Sequence, residues 1–411
     1  MAEMMNEAQV CAAPAEDAAA APAGEDSAEV AAAPAGEDVA EVAAAPAGED
    51  EAADADEDAE TDGAKKKKKL TPEEIAALER EGDAALSGLL GTQLRPLSDF
   101  LFCVISKGRE ANVSHMERML KAGGAEHICW FVGAGEVAAY EAAGASRAVE
   151  GGKLCASRNA AIDAARAAHK ICVQCSDDLQ GVQCLAAESA AEIFGTERYH
   201  KPADQAAANQ QGKRQWRVTL AAAARVLEAL MRHGARDTRK AKLAGVYPNA
   251  NSGMAMNADP VSTDLFCVGD FLVVEPGCAL RFDERMTLKE DYDFTAQHLA
   301  KHGAVARSNR VWVTALHYKN EGGAVADRND EKEQFNIALL KYKWPGAIAK
   351  HPTRGENEVF FAWSRRTVEL GGSTKHKRPP PPPGVKEEPL RPPKDQKTLM
   401  SFFGRPKPPA P

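Results

Sequence analysis

Between Asp99 and Asp178, short apolar runs alternate with helical patterns, and few folds accept that order. "DFLFCVIS" reads as a buried strand, followed by the polar loop Ser106-Lys107-Gly108-Arg109 and a helix that ends at Gly123-Gly124. "HICWFVG" is a second strand and "EVAAYEAAGA" a second helix. "SRNAAIDAARAAH" is a third helix, and "KICVQCSDDL" is an apolar strand closed by two aspartates. Alternation of this kind predicts an α/β fold, a mostly parallel sheet with helices on both faces. Ligands bind such sheets beyond the carboxyl ends of the strands. Ser106–Arg109 and Asp177-Asp178 fall there.

The rest of the 411 residues divides by composition. Residues 1–70 hold an acidic Ala/Pro repeat, with Pro22, Pro34 and Pro46 spaced by twelve, and then the run Lys65–Lys69. The repeat has no large side chains to bury and is expected to be disordered. The lysine run reads equally as a solvated charge run or as a nuclear-import or phosphate-binding patch. Much of the net charge of −9 comes from the repeat, so the remainder is closer to neutral. Residues 71–93 open with Thr71, Pro72 and Glu74, a helix start. Residues 94–370 form the expected folded domain, in which 200–217 reads as a polar loop and "LAAAARVLEALMRHGA" as an amphipathic helix. Residues 371–395 are a basic, polyproline linker, extended in character. No run approaches the ~18 apolar residues of a membrane span, and no signal peptide is evident. The nine cysteines are scattered, several within apolar runs, and read as reduced core residues of an intracellular protein. Cys172 and Cys175 make a C-x-x-C without a second pair at zinc-like spacing, and packing is the expected role.

Two adjacent carboxylates at a strand end repel each other and favour a hard divalent cation. An isolated Asp-Asp pair, however, is more often a helix cap or a solvated turn. Downstream, "LKEDYDF" places Glu290, Asp291 and Asp293 at a helix start, and "ALHYKN" puts His317 at the end of an apolar strand. Alone, the first set reads as capping and the second as a core histidine. Together, a carboxylate, a metal ligand and a histidine can share one cleft.

The order of these parts resembles the GT-A fold of nucleotide-sugar glycosyltransferases over residues 98–345. That resemblance implies a Rossmann-like domain. Ser106, Lys107 and Arg109 would bind donor after the first strand, and Arg158-Asn159 would do so from the helix after the third. Ser176-Asp177-Asp178 corresponds to the D-x-D metal motif. Serine stands at its first position, which leaves Asp178 as the direct ligand and Asp177 touching ribose or reaching the metal through water. Glu290-Asp291 corresponds to the acidic motif whose aspartate is the general base of inverting members, and His317 completes the metal site. The resemblance implies Mn²⁺ or Mg²⁺, a nucleotide-sugar donor such as a UDP-sugar, and hexosyl transfer. The segment after His317, "KNEGGAVADRND", reads as a flap over the donor or as a surface loop. A closer similarity is to the glycosyltransferases associated with TET/JBP-type DNA dioxygenases, of which the base J glucosyltransferase is a relative. These glycosylate hydroxymethylated pyrimidines such as hydroxymethyluracil in DNA.

Residues 396–403, "QKTLMSFF", resemble the motif that binds the sliding clamp PCNA, the PIP box, with Gln396, Leu399, Phe402 and Phe403 at the four defining positions. Leu399, Phe402 and Phe403 stand at i, i+3 and i+4, so one helical turn presents them to a groove. A basic, proline-rich tail, 404–411, follows. The match implies the nucleus, and a clamp-tethered enzyme would meet newly replicated DNA. Three other readings remain at this stage: a transferase with a protein or small-molecule acceptor, a metal-dependent nuclease, and a non-catalytic PCNA-binding adaptor.

Overall fold

A computed structural model describes residues 70–316, 323, 328–353, 355–366 and 378–387. The acidic repeat, Lys65–Lys69, His317 and the clamp motif lie outside the described residues. The helices are α1 (Pro72–Leu90), α2 (Val113–Ala122), α3 (Val137–Ala142), α4 (Leu154–Ala167), α5 (Ala190–Phe194), α6 (Gln205–Gly212), α7 (Leu220–His233), α8 (Ser252–Ala255), α9 (Glu290–His302) and α10 (Asp330–Lys343). The strands are β1 (Phe100–Ile105), β2 (Ile128–Val132), β3 (Ala148–Glu150), β4 (Ile171–Ser176), β5 (Leu179–Leu185), β6 (Gln215–Val218), β7 (Leu243–Tyr247), β8 (Val261–Ser262), β9 (Phe271–Val274), β10 (Ala306–Ala315), β11 (Ile348–Lys350) and β12 (Val359–Phe361).

A ten-stranded sheet runs in the order β3-β2-β1-β4-β9-β7-β10-β5-β6, with β8 beside β10. Its first four strands pair in parallel. Chain order steps from β1 outward to β2 and β3, then returns across to β4. Right-handed crossovers then set α4 on the opposite face from α2 and α3. The strand order reverses between β1 and β4, and an open parallel sheet offers its ligand crevice at such a point.

Beyond β4 the sheet differs from a mostly parallel one. β9 runs antiparallel to both β4 and β7, and β5 runs antiparallel to both β10 and β6. The sheet is therefore mixed, with an all-parallel half. From Leu220 to Met231, α7 is buried at every position but Arg225, which explains its alanine- and leucine-rich sequence.

Three other expectations change. Residues 200–217 are not a loop: Asp204 caps α6 by accepting from the Ala207 amide at 2.8 Å, and β6 joins β5 at the sheet edge. The helix of 71–93 is no separate segment. It carries the full capping box of Thr71 and Glu74, and it lies on β6 so closely that a Cβ at Gly82 would meet the Arg217 carbonyl oxygen at 2.1 Å. Asp83 accepts from the Thr219 hydroxyl at 2.6 Å and fixes the same contact. The described part of the 371–395 linker is docked. Arg378 stacks 3.8 Å above the Tyr342 ring and donates to the Tyr342 carbonyl, while Val385 packs against the core.

Candidate active site

β1 and β4 end level, with Ile105 opposite Ser176, so Ser106 and Asp177 leave the sheet side by side. Ser106 Oγ donates to Asp177 Oδ2 at 2.5 Å and lies 2.6 Å from the Tyr140 hydroxyl, which also accepts from the Arg109 amide. Arg109 Nη1 donates to Asp177 Oδ1 at 2.9 Å and stands 3.6 Å from Asp178 Oδ2. Ser176 Oγ donates to Asp178 Oδ1 at 2.7 Å. The two aspartates form the turn into β5 rather than a helix cap. Both are buried. Burial pushes the Asp177 carboxyl up to about 6, against the pull of Ser106 and Arg109, and the neighbouring Asp178 adds to the rise.

The opposite wall is the start of α9. Asp291 Oδ2 accepts from the Gly269 amide and Oδ1 from the Tyr292 amide, both at 2.9 Å. Glu290 makes an ion pair with Arg158 at 3.0 Å. Arg158 also donates to Gln174 Oε1 and to the Gly269 carbonyl, each at 3.1 Å. One guanidinium thus ties together β4, the turn before β9 and the first residue of α9. Arg158 and Glu290 border the cleft, paired with each other beside Asp291.

These parts enclose an open cleft of about 450 Å³. Ser106, Lys107, Arg109, Arg158, Asp177, Asp178, Glu290 and Asp291 all line it. Asn159 does not. One helical step from Arg158 turns it about 100° away. Its amide donates to the Phe282 carbonyl at 3.0 Å and its carbonyl accepts from the Phe282 amide at 2.8 Å, which pins the segment leading into α9. Asp293 is also turned inward, fully buried against Lys343 and Trp344. Leu316 donates its amide to the Asp178 carbonyl at 3.0 Å, so the described end of β10 reaches the aspartate turn one residue before His317.

Sequence reading missed a basic wall formed by Lys153, Lys289, Arg328 and Lys332. Lys289 is 8% exposed and sits at φ +58°, a left-handed conformation unusual for a residue with a side chain. Glu333, buried behind it, pairs with Lys289 at 3.4 Å and with Arg328 at 3.0 Å. No pattern marks Lys289 beyond its place next to Glu290-Asp291. Gly323, within the expected flap, lies against the first loop. Its amide donates to the Lys107 carbonyl at 3.0 Å, and a Cβ there would stand 2.8 Å from the Arg109 guanidinium carbon.

Among the described residues, seven cationic and five acidic side chains line the cleft. An anionic ligand therefore finds net attraction, and carboxylate oxygens are at hand for a hard cation. The cleft is within the size range of sites for nucleotide-sized molecules. The eight described cysteines are free and buried, Cys172 and Cys175 among them. Among the described residues, no helix is long and apolar enough to cross a membrane. No family model, curated protein or solved structure matches the chain.

Proposed function

We propose that the protein is a GT-A-type glycosyltransferase that moves a sugar from a nucleotide diphosphate donor to a hydroxyl acceptor. The observation that carries this reading is the convergence of three sequence-distant motifs on one cleft: the Ser106–Arg109 loop, the Asp177-Asp178 turn and the Glu290-Asp291 helix start. A nuclease would need several carboxylates free to share two cations. Here Asp177 and Glu290 are held by Arg109 and Arg158.

The donor set suits one hard cation, Mn²⁺ or Mg²⁺, through Asp178, with His317 as a further ligand. When bound, that cation neutralises charge on the departing diphosphate. Arg109, Lys289, Arg328 and Lys332 add fixed positive charge for the same oxygens. Asp291 accepts the acceptor's hydroxyl proton as the new oxygen–carbon bond forms at the anomeric carbon. The bond from that carbon to the diphosphate breaks, so the configuration inverts and a nucleoside diphosphate leaves. The backbone amides of Gly269 and Tyr292 hold the Asp291 carboxylate in orientation for this transfer.

The acceptor we favour is a hydroxymethylated pyrimidine in DNA, with the Gln396–Phe403 segment binding the sliding clamp in the nucleus. The test uses radiolabelled nucleotide sugars with manganese and duplexes carrying hydroxymethyluracil, hydroxymethylcytosine or neither. Label entering only the hydroxymethylated duplex, and lost in Asp291→Asn, is expected. Donor hydrolysis without labelling of DNA would instead redirect the acceptor to protein or a small molecule.

A further inference from the structure

At the far end of α9, away from the cleft, His298 and His302 stand one turn apart and face Cys278, from the segment between β9 and α9. One ligand atom from each of the three side chains lies within 4.8 Å of the other two. We infer that Cys278, His298 and His302 form a zinc site that staples the β9–α9 connection to the helix.

The geometry suits a bound metal. Cys278 Sγ lies 3.6 Å from His298 Nε2. Tetrahedral zinc with sulfur at ~2.3 Å and nitrogen at ~2.0–2.1 Å separates those two atoms by about 3.6 Å. His298 has no exposed surface, and its Nδ1 has no hydrogen-bond partner. Phe294 meets the His298 ring edge to face at 4.6 Å and is itself stacked on Phe282 at 3.9 Å, which fixes the ring's direction. One thiolate with two imidazoles is a borderline-soft set that suits Zn²⁺ over Mn²⁺ or Mg²⁺. Binding ionises the Cys278 thiol and releases its proton to solvent. His302, half-buried in the last turn, leaves a route for the ion, and the fourth ligand is water.

The staple has a consequence for the cleft. The connection it closes carries Met286 to Lys289, which line the cleft, and α9 carries Glu290-Asp291 at its other end.

The test is a Co²⁺ titration of chelator-stripped, full-length protein. Expected are a thiolate-to-metal charge-transfer band that saturates with about one equivalent of bound cobalt, its displacement by Zn²⁺, and a zinc-dependent rise in Tm. Cys278→Ser removes the band. His302→Gln, a change at a half-buried position that leaves the core intact, weakens binding by about tenfold or more, as loss of a metal partner does. Asp178→Asn keeps the band, which separates this site from the cleft. Absence of the band in the wild-type protein overturns the inference. So does a band retained by Cys278→Ser, or cobalt affinity unchanged by His302→Gln.

Discussion

At its N-terminal end α9 presents Asp291 to an open cleft in which carboxylates and guanidinium groups compensate each other, whereas at its C-terminal end His298 meets Cys278 inside an apolar shell. The first end offers ionised oxygens in contact with solvent, a setting in which ligands exchange. The second offers nitrogen and sulfur from two buried side chains, with His302 half-buried at the rim, a setting in which a borderline-soft ion is held. One rigid helix joins them. Hard and soft cations should therefore partition between the two ends, and disturbing one end should reach the other only through the helix and the segment before it.

The sharpest way to break this contrast is to remove the chemistry at one end while leaving its shape. Asp291→Asn keeps a carbonyl oxygen for the Gly269 amide but turns its NH2 group toward the Tyr292 amide, so Tm should fall modestly with the fold retained. On the proposed role, kcat should fall by about 10²–10⁴-fold, the usual contribution of a positioned base. A transfer rate within a few-fold of wild type would remove Asp291 from the reaction.

Charge compensation comes next. Arg109→Ala leaves Asp177 buried without its cation and should destabilise the fold by about 3–5 kcal/mol at neutral pH. Protonation of Asp177 removes that charge, so the loss should shrink on acidification. Chemical denaturation at pH 7.5 and pH 5 measures both.

The wild-type chain should itself show the burial of Asp177. Its carboxyl, pushed up to about 6, takes a proton more readily folded than unfolded. Its contribution to stability is fully present below an unfolded value near 3.9 and is lost as pH rises through about 6. Relative to Asp177→Asn, which cannot ionise, wild type should lose on the order of 2–3 kcal/mol across that window. A constant difference between the two proteins from pH 4 to pH 7 would mean that Asp177 is not perturbed. Cation binding at the cleft should strengthen over the same window, because the proton competes for the carboxylate.

The smallest effect tests the basic wall. Glycine accepts φ +58° without strain, so Lys289→Gly should leave Tm within a few degrees. Loss of a buried cation should raise the donor KM by about tenfold with little change in kcat. A drop in kcat alone would place Lys289 at the reacting centre instead.

The parallel half of the sheet and its two polar loops were legible because β1, β2 and β4 are continuous apolar runs closed by polar residues. The mixed half was not. β5 carries two glutamines and a glycine, β7 carries a glycine, and both pair with strands distant in sequence, so nothing local announces them. Arg158-Asn159 read as one unit, but helical geometry sends its two side chains to different tasks. The carboxylates of the cleft carried a spacing signal, whereas Lys289 carried none. The i, i+4 pair His298 and His302 was open to view in "TAQHLAKHG", but its partner Cys278 lies twenty residues earlier and looked like one more core cysteine.

The measurement closest to the central claim is calorimetric binding of a panel of nucleotide sugars to the full-length protein, with and without manganese. Saturable, manganese-dependent binding of at least one donor is expected, weakened at least tenfold by Asp178→Asn with the fold intact. No binding of any donor in manganese by the folded wild-type protein would contradict that claim.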